Sequence, residues 1–118
     1  MGRSRITSEL WVSALRKKLE AKAVPIFISK KGNNQAGAII IKVSNLRGRS
    51  KIFVQASYSG DDRRWMELST GSDAEIEEVL KSQQKFDEDA WILEVEELNG
   101  VQLFDEFLLF DLDEFGDT

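Results

Sequence analysis

A single α+β domain, with a mainly antiparallel sheet of four to five strands and two helices in the order α-β-β-β-(β)-α-β, is predicted by three features of this sequence. A capped helical pattern turns directly into a strand pattern between Ser72 and Glu97. Three apolar stretches with β-branched residues, VPIFIS, AIIIKV and KIFVQASY, are separated by Gly- and Asn-containing polar segments. An amphipathic stretch ahead of them is stopped by the chain's single proline, Pro25. Runs of that kind bounded by turn residues read as strands, and the three-and-four spacing of apolar residues reads as helix.

The first helix can be capped by Thr7 or Ser8, with Val12, Leu15, Leu19 and Ala23 as its apolar stripe, Trp11 and Ala14 at the flank, and Arg16, Lys17 and Glu20 facing water. It ends before Pro25, because the residue preceding a proline is pushed towards extended backbone. Val24–Ser29 is then the first strand and tolerates the proline at its start or on an edge. Lys30–Gly37, KKGNNQAG, is a turn, and Ala38–Val43 and Lys51–Tyr58 form a hairpin or meander around SNLRGRS. Ile39, Ile41 and Val43 share one face. Ile52, Val54, Ala56 and Tyr58 oppose Phe53, Gln55 and Ser57, so the sheet carries apolar residues on both faces. Trp65–Leu68 is a short fourth strand. Ser72 followed by Glu75 has capping-box spacing and opens the second helix, whose face is Ile76, Val79, Leu80, Gln83 and Phe86. After Asp87, Glu88 and Asp89 the period falls to two, with Trp91, Leu93 and Val95 on one side and Ile92, Glu94 and Glu96 on the other. The expected core is Trp11, Leu15, Ile39, Ile41, Val54, Ile76, Leu80, Phe86, Trp91 and Leu93.

Residues 1–97 are read as the α+β domain. Residues 98–118 form an acidic aromatic C-terminal segment with four of the seven phenylalanines, six carboxylates and no basic residue, expected to pack on the same domain. At 118 residues the chain can bury about two-thirds of its unfolded surface, enough for a core without staples. There are no cysteines and no histidines. That removes disulfides, thiolate and imidazole metal sites, Cys-His and Ser-His catalysis and the usual near-neutral proton shuttle. No run approaches the ~20 apolar residues of a membrane span, and the N-terminus MGRSRITSEL lacks an apolar signal core, so the expectation is a cytoplasmic protein without membrane attachment. The net charge of −5 is unevenly laid out: residues 1–64 hold 14 basic and 4 acidic groups, residues 65–118 hold 2 basic and 17 acidic. Either the halves neutralise each other on folding, or the basic half faces nucleic acid.

Gly32 and Gly37 have the outer spacing of a phosphate loop, but Ala38-Ile39 replaces its Lys-Ser/Thr and a strand pattern follows, which marks a turn. Asp111-Leu112-Asp113 lacks the remaining ligands of a calcium loop. No cofactor, metal site or catalytic residue is assigned. The candidate binding residues are Arg63, Arg64 and Trp65, where two guanidinium groups beside an indole suit anions or base stacking, with Asp87 and Asp89 as carboxylates that either bind a cation or turn the chain. Arg64 is expected to clasp the Asp87–Asp89 turn. The α-β-β-β-α-β order is also that of the PD-(D/E)xK nuclease core, but Gln55-Ala56-Ser57 and AIIIKV offer none of its metal-binding carboxylates.

Leu10 to Leu15 (LWVSAL), Ala36-Gly37-Ala38 ahead of a strand, Arg63-Arg64-Trp65, and QQKFDEDAW running into Ile92 to Glu96 together resemble DUF1491, a small alphaproteobacterial family, over about residues 8–97. Glu88 stands where that family is expected to have proline. The resemblance implies a bacterial protein and no established activity. The leading functional expectation is a non-enzymatic protein-interaction module, binding a protein partner or itself as a homodimer, through a sheet face carrying Phe27, Ile40 and Phe53 or through the acidic tail. The alternatives are nucleic-acid binding by the basic half and a degenerate nuclease-like fold.

Overall fold

The structure is a computed structural model describing residues 7–57 and 63–96, with backbone alone for 55–57 and 63–65. Helix α1 is Ser8–Ala21, strand β1 Ile26–Lys30, β2 Ile39–Ser44, β3 Arg49–Ser57, β4 Arg63–Ser72, helix α2 Asp73–Phe86 and β5 Trp91–Glu96. The sheet order is β1-β5-β2-β3-β4. Every neighbouring pair is antiparallel except β2 with β5. The fourth strand is ten residues long rather than four, paired with β3 along its length and interrupted by one register shift. Expected and observed topology otherwise agree, including the two helices and the β2–β3 hairpin.

The central position of β2 and β5 follows from their composition. IIIKVS and WILEVE are near-continuous apolar runs that bury residues on both faces, as strands covered on both sides must. Ile26, Ile39, Ile41, Val43, Phe53, Trp91, Leu93 and Val95 point to one side and pack with Trp11, Val12, Leu15 and Leu19 of α1. Ile40, Ile52, Ala90 and Ile92 point to the other side and pack with Ile76 and Leu80 of α2, flanked by Val54 and Val79. The sheet is thus the middle layer of three. Ile40 and Phe53, expected on one open face, lie on opposite faces and are both buried; of the three residues proposed for an uncovered face, Phe27 alone is exposed, at 53%.

Phe86 also departs from the expected core, being 89% exposed. It is the last residue of α2, and ten helical steps from Ile76 turn it by about 80° off the buried line, beyond the stretch that meets the sheet. Thr7, not Ser8, caps α1: its Oγ1 accepts from the Leu10 amide at 3.2 Å. Ser8 is buried instead and donates its hydroxyl to the Gly37 carbonyl at 2.6 Å.

The α2 capping box forms as the sequence specifies. The Ser72 hydroxyl accepts from the Glu75 amide at 3.2 Å, and the Glu75 carboxylate accepts from the Ser72 amide at 2.9 Å. The Ser72 backbone N–H, and after it the Ser72 side chain, hold the Glu75 carboxyl below its ordinary pKa. A group whose pKa is lowered by folding stabilises the fold above its unfolded pKa, and this contribution fades as pH falls through the folded value. Ser72→Ala is expected to cost about 1 kcal/mol in equilibrium unfolding. It should also move the Glu75 titration, followed by NMR, only part of the way back, because alanine keeps the backbone N–H that is the larger cause and removes only the hydroxyl; an unmoved titration would show that the hydroxyl contributes nothing to it.

Candidate functional site

The Asp87–Asp89 turn is built into the fold. Asp87 ends α2 with its amide donating to the Gln83 carbonyl at 2.9 Å, and its carboxylate accepts from the Asp89 amide at 3.1 Å. The Asp89 carbonyl accepts from the Asn33 amide at 2.9 Å, tying the turn to the loop between β1 and β2. The side chains of Arg63, Arg64 and Trp65, and with them the expected Arg64 clasp, lie outside the described residues. Their backbone runs at the start of β4, with Arg64 opposite Ala56. Strands β2 and β3 separate β4 from β5, so three spacings, roughly 14 Å, lie between that backbone and the β5 line. Among the described residues no group of three or more Asp or Glu could hold a metal ion.

The described cations do not form one patch. Arg47 and Arg49 flank the β2–β3 turn at one end of the sheet, whereas Lys30 and Lys31 lie at the other, beside the Ile92 end of β5. Several stand beside carboxylates: Arg16 by Glu20 at 3.8 Å, Lys31 by Glu9 at 4.0 Å and Lys51 by Glu67 at 3.3 Å. Lys42, only 12% exposed, lies between Glu94 at 3.5 Å and Glu77 at 3.7 Å. The Ser29 hydroxyl donates to the same Glu94 carboxylate, so β1, β5, β2 and α2 are joined by one polar row on the α2 side.

Among the described residues, strand β1 combines exposed apolar side chains with a side on which no strand is paired. It is an outer strand of the sheet, and its pairing with β5 fixes which way its peptide groups face. Glu96 donates its amide to the Pro25 carbonyl at 3.0 Å. Alternation along an antiparallel ladder then turns Phe27 inward to Glu94 and directs the N–H and C=O of Ile26 and Ile28 to the outer side. Phe27 and Ile28 expose their side chains, on opposite faces of this strand. Beyond its end opens a shallow cleft of about 680 Å³, lined by Lys30, Lys81, Lys85, Ser82, Glu78 and Glu88. Lys30 donates to the Glu88 carbonyl there. Pro25 allowed an edge position for this strand, but nothing local in IFISK shows that β5, which begins 65 residues later in the chain, becomes its inner neighbour; Lys30-Lys31 after the exposed Phe27 and Ile28 is a further signal of an edge.

Among the described residues, fold and surface define a small three-layer α+β domain whose outer strand β1 exposes Phe27 and Ile28, with a cleft lined by lysines and glutamates beyond its end. The chain belongs to the DUF1491 family of proteins of unknown function, whose model matches residues 6–105. Its fold is similar to the crystal structure of a DUF1491 family protein from Caulobacter crescentus CB15, with a TM-score of 0.71 at 24% identity, covering 80% of this chain and 89% of that one. It is also similar to the solution structure of protein Atu0922 from A. tumefaciens, with a TM-score of 0.69 at 31% identity, covering 80% of this chain and 87% of that one. A comparison with curated proteins gives no match.

Proposed function

We propose that the protein is a non-enzymatic interaction module that binds an extended segment of a protein partner along β1. The observation that supports this reading is the outward direction of the Ile26 and Ile28 peptide groups beside the exposed Phe27 and Ile28 side chains. An added strand would take its affinity from main-chain hydrogen bonds and its selectivity from alternate side-chain contacts. The register shift between Ile28 and Lys30, and the lysines that follow, limit the edge to a short segment and oppose indiscriminate sheet growth.

Affinity purification of the full chain from its native cell, read by mass spectrometry, tests this. The wild type should retain a defined protein that Phe27→Lys loses by at least roughly tenfold, since an exposed apolar contact is exchanged for a charge in the interface. Phe27→Lys should unfold with the wild-type midpoint, because the side chain is outside both cores. Equal retention by the two proteins removes the reading, and light scattering that shows a dimer broken by Phe27→Lys identifies the partner as a second copy.

A further inference from the structure

We propose that the partner of the β1 edge is a second copy of this chain, the two β1 strands pairing antiparallel about a two-fold axis that passes between their Phe27 residues. This rests on the reading of β1 as a binding edge and names its occupant. The outward N–H and C=O groups of the strand belong to Ile26 and Ile28. Residues that exchange both main-chain bonds in an antiparallel pair sit directly opposite one another. Setting Ile26 opposite Ile28 of the second copy therefore sets Ile28 opposite the second copy's Ile26, and all four outward groups of each strand are bonded. A slide of two residues spoils this in either direction. One way brings in Val24, whose amide already donates to the Leu19 carbonyl at 2.9 Å, and the other runs into the register shift that follows Ile28.

The same register makes every cross-strand pair apolar. Phe27 meets Phe27 at the non-hydrogen-bonded position, where Cα atoms are about 4.5 Å apart and side chains approach most closely. Both rings lie on the α2 side, while on the α1 side the exposed Ile28 meets the second copy's Ile26. Aromatic and β-branched pairs of this kind are the contacts that stabilise a sheet. The charges obey the symmetry as well. Lys30 stands three residues from the axis, so the two copies of it are six residues apart, roughly 20 Å, whereas a parallel alignment in register would set lysine beside lysine. The contact is also closed: each copy uses β1 against β1, and growth stops at two, while pairing β1 with β4, the other outer strand, would leave a free edge at each end. A five-residue strand buries little area, which places the monomer–dimer exchange at roughly 10–100 µM.

Sedimentation equilibrium of the full chain should show an average mass that rises from the 13.4 kDa of one chain towards twice that value as concentration passes through this range. Phe27→Lys and Phe27→Glu should each weaken the association at least roughly tenfold, because like charges then stand opposite. A mixture of the two variants should associate roughly fivefold more tightly than either alone at low salt, since the axis brings position 27 against itself. The chain has no cysteine, so Phe27→Cys reports on this one contact. On mild oxidation it should link two chains, while Lys30→Cys on the same strand and Phe86→Cys on the exposed end of α2 should link roughly tenfold more slowly, their partners lying beyond the span of a disulfide. A single-chain mass throughout, a dimer that Phe27→Lys leaves intact, a mixture no tighter than its components, or Lys30→Cys linking as fast as Phe27→Cys overturns the proposal. Affinity capture separates this from the reading beneath it. If the chain stays single while Phe27-dependent capture of another protein persists, the edge binds but its occupant is not a second copy; if neither self-association nor capture occurs, the reading of the edge falls as well.

Discussion

Trp91→Ala is expected to lower stability by about 3–5 kcal/mol, the usual cost of removing a large buried aromatic side chain. Trp91 is 2% exposed and lies where β5 begins, among Trp11, Ile39 and the other residues packed under α1. Its loss is more than a cavity. The indole Nε1 donates to the Asn33 carbonyl at 2.7 Å, and the Trp91 amide donates to the Ala38 carbonyl at 2.7 Å, so one residue fixes both ends of the loop that joins β1 to β2. Truncation leaves the Asn33 carbonyl without its donor, adding roughly 1 kcal/mol. Domains of this size are stable by about 5–15 kcal/mol, so the change should take the melting temperature down by roughly 10–20 °C. Trp91→Phe keeps most of the volume and loses the bond, and should cost about 1–2 kcal/mol. Thermal unfolding followed by near-ultraviolet circular dichroism compares the two; similar small shifts for both would mean that neither the packing nor the bond anchors this loop.

What the sequence made legible is what short-range chemistry decides. Ser72 and Glu75 specify a helix start with two reciprocal hydrogen bonds, and the box is present with both. Period-two alternation placed Trp91, Leu93 and Val95 together and set Ile92 on the other side, which is how the two cores divide them. Strand order is different. The insertion of β5 between β1 and β2 joins residues more than sixty positions apart, and no local propensity records it. That single long-range pairing decides which strands are central, why Ile40 and Phe53 are both covered, and why Phe27 is not. Phe86 shows the same limit on a helix: its spacing from Val79 and Gln83 fits a stripe, but whether sheet lies beneath the last turn depends on how the helix is docked. For the binding surface, the sequence singled out Arg63 to Trp65 and the Asp87–Asp89 carboxylates from residue type. The described geometry uses the aspartates to shape a turn, and the surface next to it owes its character to an edge that residue type alone does not reveal.

Gly32→Ala is the second large effect expected, and it tests why the loop with phosphate-like glycine spacing exists. A Cβ on Gly32 would lie 2.6 Å from the Trp91 amide nitrogen and 2.7 Å from the Ala90 carbonyl carbon. These are backbone atoms at the start of the central strand, held by the bonds from Asn33 to Asp89 and from Trp91 to Ala38, so they cannot yield as a flexible side chain would. Gly37 approaches the same turn, where a Cβ would meet the Asp89 carbonyl oxygen at 2.5 Å. Close approach, not a left-handed backbone, is the reason for both glycines, and the loop serves to let α1, β2 and β5 meet. Gly48 is the control: its φ is +88° in the β2–β3 turn, and a Cβ there meets nothing within 4 Å. Gly48→Ala should cost about 1–2 kcal/mol from backbone strain alone. Gly32→Ala should cost roughly 3 kcal/mol, at the upper end of overpacking, with faster amide exchange at Asn33 and Trp91 while the β2–β3 hairpin keeps its protection. Chemical denaturation ranks the two variants, and a Gly32→Ala protein at least as stable as Gly48→Ala would show that the loop does not hold the central strand in place.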